Sequence, residues 1–354
     1  MVCDQAAMLP SAWLEPLPFG DGFLPSRVLP GPLDGLTQGV MVACYSRLGL
    51  VPCWITPFIR VSNAAPGGNR LRKRLLPYFE TGLPVVAQVM GIHADVLAET
   101  AAGCCELGAV GVDLNCGCPS NTVISSGAGG AKLRDPGWIH DCLRGLRRAC
   151  PGKGISVKIR SGFADPAELD DIVPAVAAAD VDFFTLHFRT VKESYAEVKH
   201  GRGRLSRAKQ LAGPVPMIAS GDLFSIRDAV NAWERSGCDG VAPARGLLNN
   251  PYLLKDIAQV CAGGAPPERS PADVLTVLEM EARLAAETGI TRTGFLLEAA
   301  RQAFGPDSEA FRSLVRADNP MAFAVTAKRL RGEWASPRTC QPPPTALDSA
   351  KRID

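Results

Sequence analysis

Short β-branched or apolar runs alternate with longer helical patterns along most of this chain, and that alternation narrows the fold more than any other feature. The runs lie at Val28-Leu29, Cys53-Ile55, Val85-Val89, Val110-Leu114, Ile155-Ile159, Phe183-Leu186, Val215-Ala219 and Gly240-Val241. Helical patterns between them include Thr37 to Leu48, Ala94 to Leu107, Pro136 to Ala149, Pro166 to Ala179 and a stretch to Ser236 opened by Ser225 as N-cap. Such alternation implies a parallel sheet. With centres at Leu29, Cys53, Val86, Val112, Val157, Phe184, Ile218 and Val241, the gaps are 24, 33, 26, 45, 27, 34 and 23 residues, one crossover unit each. Eight βα units close a barrel, so the expected fold class is α/β, a TIM (β/α)8 barrel.

A barrel takes about 250 residues, and the chain has 354. After Cys261 the stretch Ala262-Gly-Gly-Ala-Pro-Pro reads as a linker, and helical periodicity alone follows from Pro271 to Arg331. Four segments are therefore predicted: residues 1–24, disordered or loosely packed; 25–262, the barrel; 263–335, a small all-α helical domain; and 336–354, a disordered tail. No basic stretch followed by an apolar run opens the chain, and no apolar stretch reaches the length of a membrane span. The 12 cysteines are scattered through apolar runs, and His93, His140 and His200 show no metal-ligand spacing. A cytoplasmic, metal-free monomer that does not engage membranes is the expectation.

In a TIM barrel the chemistry sits at the C-terminal ends of the strands. Strand one ends in Gly31-Pro32-Leu33-Asp34-Gly35, strand three carries Gln88, and strand four runs into Asn115-Cys116-Gly117-Cys118-Pro119-Ser120. Strand five presents Lys158 and Arg160, strand six His187 and Arg189, strand seven Ser220-Gly221-Asp222, and strand eight Ala244-Arg245-Gly246. Glycine-rich turns after strands seven and eight let backbone N–H groups approach an anion, so a phosphorylated cofactor or substrate is expected there, with Arg245 adding a charged hydrogen bond.

The segment Gly111-Val-Asp-Leu-Asn-Cys-Gly-Cys-Pro-Ser-Asn-Thr-Val, followed by Ser126-Gly-Ala-Gly-Gly-Ala-Lys-Leu-Arg-Asp-Pro, resembles the active-site signature of tRNA-dihydrouridine synthases, closest to the bacterial C class. The resemblance continues through Ser156-Val-Lys-Ile-Arg, Leu186-His-Phe-Arg-Thr, Met217-Ile-Ala-Ser-Gly-Asp and Arg245-Gly-Leu-Leu-Asn-Asn-Pro, and weakens in the helical domain. It implies FMN across the barrel mouth, NADPH as reductant, hydride transfer to C6 of a uracil in the tRNA D-loop, at position 16, and protonation of C5 by Cys118. Carried over, Pro32, Leu33, Asp34, Gln88 and Lys158 face the flavin ring, while Ser220, Gly221, Asp222, Ala244 and Arg245, assisted by His187, hold the phosphate. Asn115, Arg160 and Arg189 are then substrate contacts, and the helical domain is a tRNA-binding domain. Departures from the family pattern are Asn121, Phe188, Ser220 and Ala244, standing where lysine, glycine, asparagine and glycine are common.

The residue types suit that chemistry. A thiol with a reference pKa of about 8.5 is mostly protonated near neutrality and can act as a general acid. Lys158 supplies positive charge beside a reduced flavin. A uracil stacked in folded RNA must be extruded to reach the pocket. Cys116, two residues before Cys118, alternates to the other face and is read as packing. The formal charge is only +2, and beyond residue 262 twelve basic residues balance twelve acidic ones, so RNA contact must rest on local patches. Two are candidates: residues 189–209, with seven Lys/Arg against two acids, and Arg70-Leu-Arg-Lys-Arg74. The alternative readings are a flavin reductase of a small pyrimidine-like molecule and an RNA-binding relative without catalysis.

Overall fold

The computed structural model describes residues 9–35, 37–199 and 201–334. The tail predicted for residues 336–354, and the first residues of the N-terminal segment, lie outside the described residues. Ten strands and fourteen α-helices follow one another among the described residues: β1 Leu17–Phe19, β2 Gly22–Leu24, α1 Gly39–Arg47, β3 Trp54–Ile55, β4 Ile59–Arg60, α2 Gly68–Phe79, β5 Val85–Met90, α3 Ala94–Glu106, β6 Gly111–Cys116, α4 Asn121–Ser125, α5 Pro136–Ala149, β7 Gly154–Arg160, α6 Leu169–Ala177, β8 Phe183–His187, α7 Gly203–Leu211, β9 Met217–Ser220, α8 Ile226–Ser236, β10 Gly240–Val241, α9 Gly246–Asn249, α10 Leu253–Cys261, α11 Pro271–Glu287, α12 Gly294–Phe304, α13 Glu309–Leu314 and α14 Pro320–Trp334. Ser225 caps α8 as expected, its side chain accepting the Asp228 amide.

The long strands pair in parallel in the order β10-β9-β8-β7-β6-β5-β3, and β4 continues the β3 edge by pairing with the end of β5. The first expected strand is reduced to a bridge, Val28 to Val241, with Leu29 N donating to Val241 O at 2.9 Å. Leu29 and Cys53 belong to one buried cluster, so side-chain packing covers the seam between the first and second strand positions. The result is the α/β barrel that the spacing predicts.

Strand register turns this sheet into layers of inward side chains. Gln88, Asp113, Ser156 and Phe183 lie on one rung; Asn115, Lys158, Thr185 and Ile218 on a second; Arg160, His187 and Ser220 on a third. The intervening rung of Val89, Leu114, Val157, Phe184 and Met217 faces the helices. Cys116 and Ile159 are paired on another helix-facing rung and are both buried, which confirms Cys116 as packing.

The expectation of a loose N-terminal segment is corrected for residues 9–24. Trp13, Leu17, Phe19 and Leu24 are fully or almost fully buried, and β1 and β2 form an antiparallel hairpin. Phe19 packs on Phe183 with ring centroids 5.5 Å apart. At Gly111 and Gly154, where β6 and β7 begin, an added Cβ would collide with the Phe19 ring. The hairpin therefore plugs the end of the barrel opposite the polar rungs. Its three-residue strands, one interrupted by Pro18, carry too short a pattern to read from sequence.

The helical unit is fastened to the barrel through α11 on α1 and α12 on α9, with α14 packed along α11. Tyr45 of α1 donates to Leu247 O at 2.9 Å. Glu281 of α11 is buried near Cys44 and Tyr45, and burial pushes its carboxyl up to about 8. Because the folded pKa exceeds the unfolded value, this site favours folding most below the unfolded pKa of about 4.3 and loses that advantage as pH rises towards 8. Glu281→Gln is expected to shrink the fall in stability between pH 5 and pH 9 by on the order of 2–4 kcal/mol, measured by urea denaturation. No helix among the described residues is long and apolar enough to cross a membrane.

Candidate active site

The polar rungs open into a cavity of about 340 Å³ at the C-terminal end of the barrel. Of the residues singled out from sequence, Pro32, Leu33, Asp34, Gln88, Asn115, Cys118, Lys158, Arg160, His187, Ser220, Gly221, Asp222, Ala244 and Arg245 all line it. Pro57, Phe58, Tyr195 and Phe224 join them, none of them singled out from sequence.

Most of these polar groups are held by identifiable partners. Gln88 Nε2 donates to Asp113 at 2.7 Å and Asn115 Nδ2 donates to Gln88 Oε1 at 2.9 Å. Asn115 Oδ1 in turn accepts the amides of Gly117 at 3.1 Å and Cys118 at 3.0 Å. The Cys118 carbonyl accepts Gly130 N at 3.0 Å, so the turn is pinned on both sides with the half-buried thiol at the cavity wall. Arg160 is buried and spans from Gly117 O to Thr190 O and Ser194 O. Burial lowers it to about 10.

The Lys158 ammonium makes no hydrogen bond or ion pair among the described residues. Burial, and then the neighbouring Arg160, lower it to about 8, so near neutrality it is a mostly charged ammonium facing the cavity without a counter-ion in contact. Such a group is costly unless an anion or acceptor meets it. His187 is pushed well below its usual range by burial, then by Arg160, Lys158, Arg189 and Arg245. Its Nδ1 accepts Arg189 N at 3.2 Å, which assigns the proton of the neutral ring to Nε2.

The turns after β9 and β10 carry unusual backbone and unused amides. Gly221 and Asp222 both have positive φ, at 99° and 45°. A Cβ at Gly221 would lie 2.8 Å from the Phe188 ring, so the aromatic residue that departs from the family pattern is accommodated by that glycine. The amides of Gly221, Asp222, Ala244 and Arg245 donate to no acceptor among the described residues. Arg245 lines the same wall.

Two expectations are corrected. Arg189, expected as a substrate contact, does not line the cavity: it is buried, donates to Ala196 O at 2.6 Å and forms a two-pronged ion pair with Asp222. Asp222 also meets Arg245 at 3.2 Å, so its carboxylate ties the turn after β9 to the turn after β10. The basic run at 189–209 is mostly neutralised. Arg202 pairs with Asp228, Arg204 with Glu193, Arg207 with Asp170 and Lys209 with Asp239, partners that sequence proximity does not reveal. The second basic cluster lies on α2, and Arg70, Arg72, Lys73 and Arg74 form no ion pair among the described residues. Arg74, midway along the helix, donates to the carbonyl of the cavity-lining Phe58 at 2.6 Å.

The sequence profile of the family described as Dihydrouridine synthase (Dus) matches residues 29–303. The tRNA-dihydrouridine(16) synthase of Aquipseudomonas alcaligenes is 32% identical over 253 residues, covering 70% of this chain and 80% of that protein. The protein of the same name from Salmonella typhimurium is 30% identical over 318 residues, covering 86% of this chain and 100% of its own length. Among solved structures, a 2-naphthoyl-CoA reductase complex superposes with a TM-score of 0.56 at 12% identity, over 75% of this chain and 53% of that one. The old yellow enzyme from Trypanosoma cruzi does so with a TM-score of 0.50 at 12% identity, over 74% and 95%. At such identity these structures speak to the barrel fold alone. The profile match over most of the chain, together with relatives 30–32% identical that are covered over 80% and 100% of their length, shows that the chain belongs to the dihydrouridine synthase family.

Proposed function

We propose that this protein is a tRNA-dihydrouridine synthase that uses FMN and NADPH to reduce the C5–C6 double bond of a uridine in the tRNA D-loop. One observation carries the reading: a half-buried thiol, a lysine without a partner and a cradle of free amides meet in a single cavity.

The residues present fit FMN. The free amides of Gly221, Asp222, Ala244 and Arg245, with the Arg245 guanidinium and the protonated Nε2 of His187, suit a phosphate. Lys158 suits a ring that gains negative charge, and Gln88, Pro32 and Leu33 supply a polar edge and apolar walls. Hydride for C6 of the uracil is what bound FMN, reduced by NADPH, supplies in this chemistry. The chain does the rest: Asn115 keeps one amide hydrogen for the base edge, Arg160 adds positive charge, and the Cys118 thiol delivers the proton to C5. Tyr195, 56% exposed, lies 4.6 Å from the Arg245 guanidinium and 5.5 Å from that of Arg160. It offers an aromatic face on which an extruded base can stack.

RNA rather than a free pyrimidine is favoured by α2. Its buried residues Leu71, Leu75 and Tyr78 define one face, and Arg70, Lys73 and Arg74 occupy a continuous arc beside it, with Arg74 bonded to the cavity-lining Phe58. Barrel helices begin on the active-site side, which sets this arc where backbone phosphates would lie. The combined Arg70→Ala, Lys73→Ala variant is expected to raise the KM for tRNA about tenfold or more and to lower the salt slope of binding by about 1.5, with FMN affinity unchanged. The names of the relatives support uridine 16 as the target. The function itself is tested by incubating the purified protein with FMN, NADPH and tRNA lacking dihydrouridine, then digesting to nucleosides. Dihydrouridine at position 16 is expected; its absence under all flavin and reductant conditions contradicts the reading.

A further inference from the structure

Asp113 is 1% exposed and is not a cavity-lining residue, yet it anchors the hydrogen-bonded chain that reaches Cys118. Its second oxygen accepts Ser156 Oγ at 2.7 Å. We propose that Asp113 is a positioning residue for the reaction: its carboxylate fixes which way the Gln88 and Asn115 amides face, and through them holds the Cys118 turn. The inference rests on the function proposed above.

The logic is one of donors and acceptors. A carboxylate only accepts, so Gln88 must turn its NH₂ towards Asp113 and its carbonyl towards Asn115. Asn115 must then give its NH₂ to Gln88, and only its carbonyl is left for the Gly117 and Cys118 amides. Reversing the Gln88 amide would set its carbonyl against the carboxylate, and reversing that of Asn115 would set N–H groups against N–H groups at the turn. The charged end therefore sets the polarity of every bond in the chain, including the Gln88 and Asn115 hydrogens left for ligands.

Asp113 also acts on charge. It lies on the rung below Lys158 and favours the ammonium form there, against burial and Arg160. Burial pushes Asp113 itself up to about 6, opposed by Gln88, Ser156 and Lys158. Cys118 and the neutral His187 are the other titratable groups beside Lys158.

Asp113→Asn keeps the shape and removes the obligate acceptor. In that variant the product-forming rate at saturating tRNA is expected to fall about 10- to 100-fold with the KM for tRNA little changed. Two readouts need no RNA. The unpinned turn is expected to quicken alkylation of Cys118 in the apoprotein about threefold or more, followed by peptide mass mapping. NADPH-driven flavin reduction is expected to lose rate at a lower pH than in the parent protein, where the limb follows Lys158 at about 8. Ser156→Ala removes one donor and is expected to move the same readouts less in the same direction, which covers the case where Asp113→Asn does not fold. Parent-like kcat, alkylation and pH limb in a folded variant overturn the proposal. Altered alkylation and reduction in a protein that makes no dihydrouridine would instead uphold the positioning role and reject the function.

Discussion

Cys118→Ala is expected to cut dihydrouridine formation by about 100- to 10,000-fold, the range a positioned general acid contributes. The variant should still take up FMN and be reduced by NADPH, because Cys118 is not part of the cradle formed by the β9 and β10 turns. The contrast with its neighbour sharpens the test. Cys116 shares the same motif but is fully buried on a helix-facing rung, and burial pushes its thiol far up. Cys116→Ala is therefore expected to cost stability rather than chemistry. Equal losses of turnover in both variants would mean that the motif matters as packing and not as a proton source.

Lys158→Met is expected to slow flavin reduction and product formation by about 100- to 1,000-fold, as loss of a preorganised charge in a water-poor site does. Methionine is unbranched and only one atom shorter than lysine, so the cavity should change little in shape. The sign of the pH dependence follows from the folded value of about 8: the ammonium is present below it and is lost as pH rises through it. The parent protein should thus lose rate above pH 8, and Lys158→Met should lack that limb. Stopped-flow absorbance of the flavin reads both.

Much of the site was legible because a barrel converts sequence position into spatial position. Residues at strand ends point to one mouth, so Lys158, His187 and Ser220 could be set together from spacing alone, and their pairing on adjacent rungs bears this out. What stayed hidden depends on partners far apart in the chain. Arg189 looks like a mouth residue until Asp222, 33 positions on, takes its guanidinium. The basic run at 189–209 reads as an RNA surface until its acids arrive from other βα units. Asp113 sits inside a quoted motif, but its role needs the β5 and β7 rungs beside it. Tyr195 comes from an irregular loop where no periodicity marks a side chain's direction. The β1–β2 plug was missed for the opposite reason, since its residues are apolar but too few to show a period.

The physical claim beneath all of this is that the amides after β9 and β10 grip the phosphate of a flavin whose ring reaches Lys158 and Cys118. Titration of the apoprotein with FMN and with riboflavin, followed by quenching of flavin fluorescence, tests it most directly. Saturable one-to-one binding of FMN, with riboflavin bound at least about 100-fold more weakly for want of the phosphate contacts, is the expected result. Equal affinity for the two, or no uptake of FMN, would contradict it.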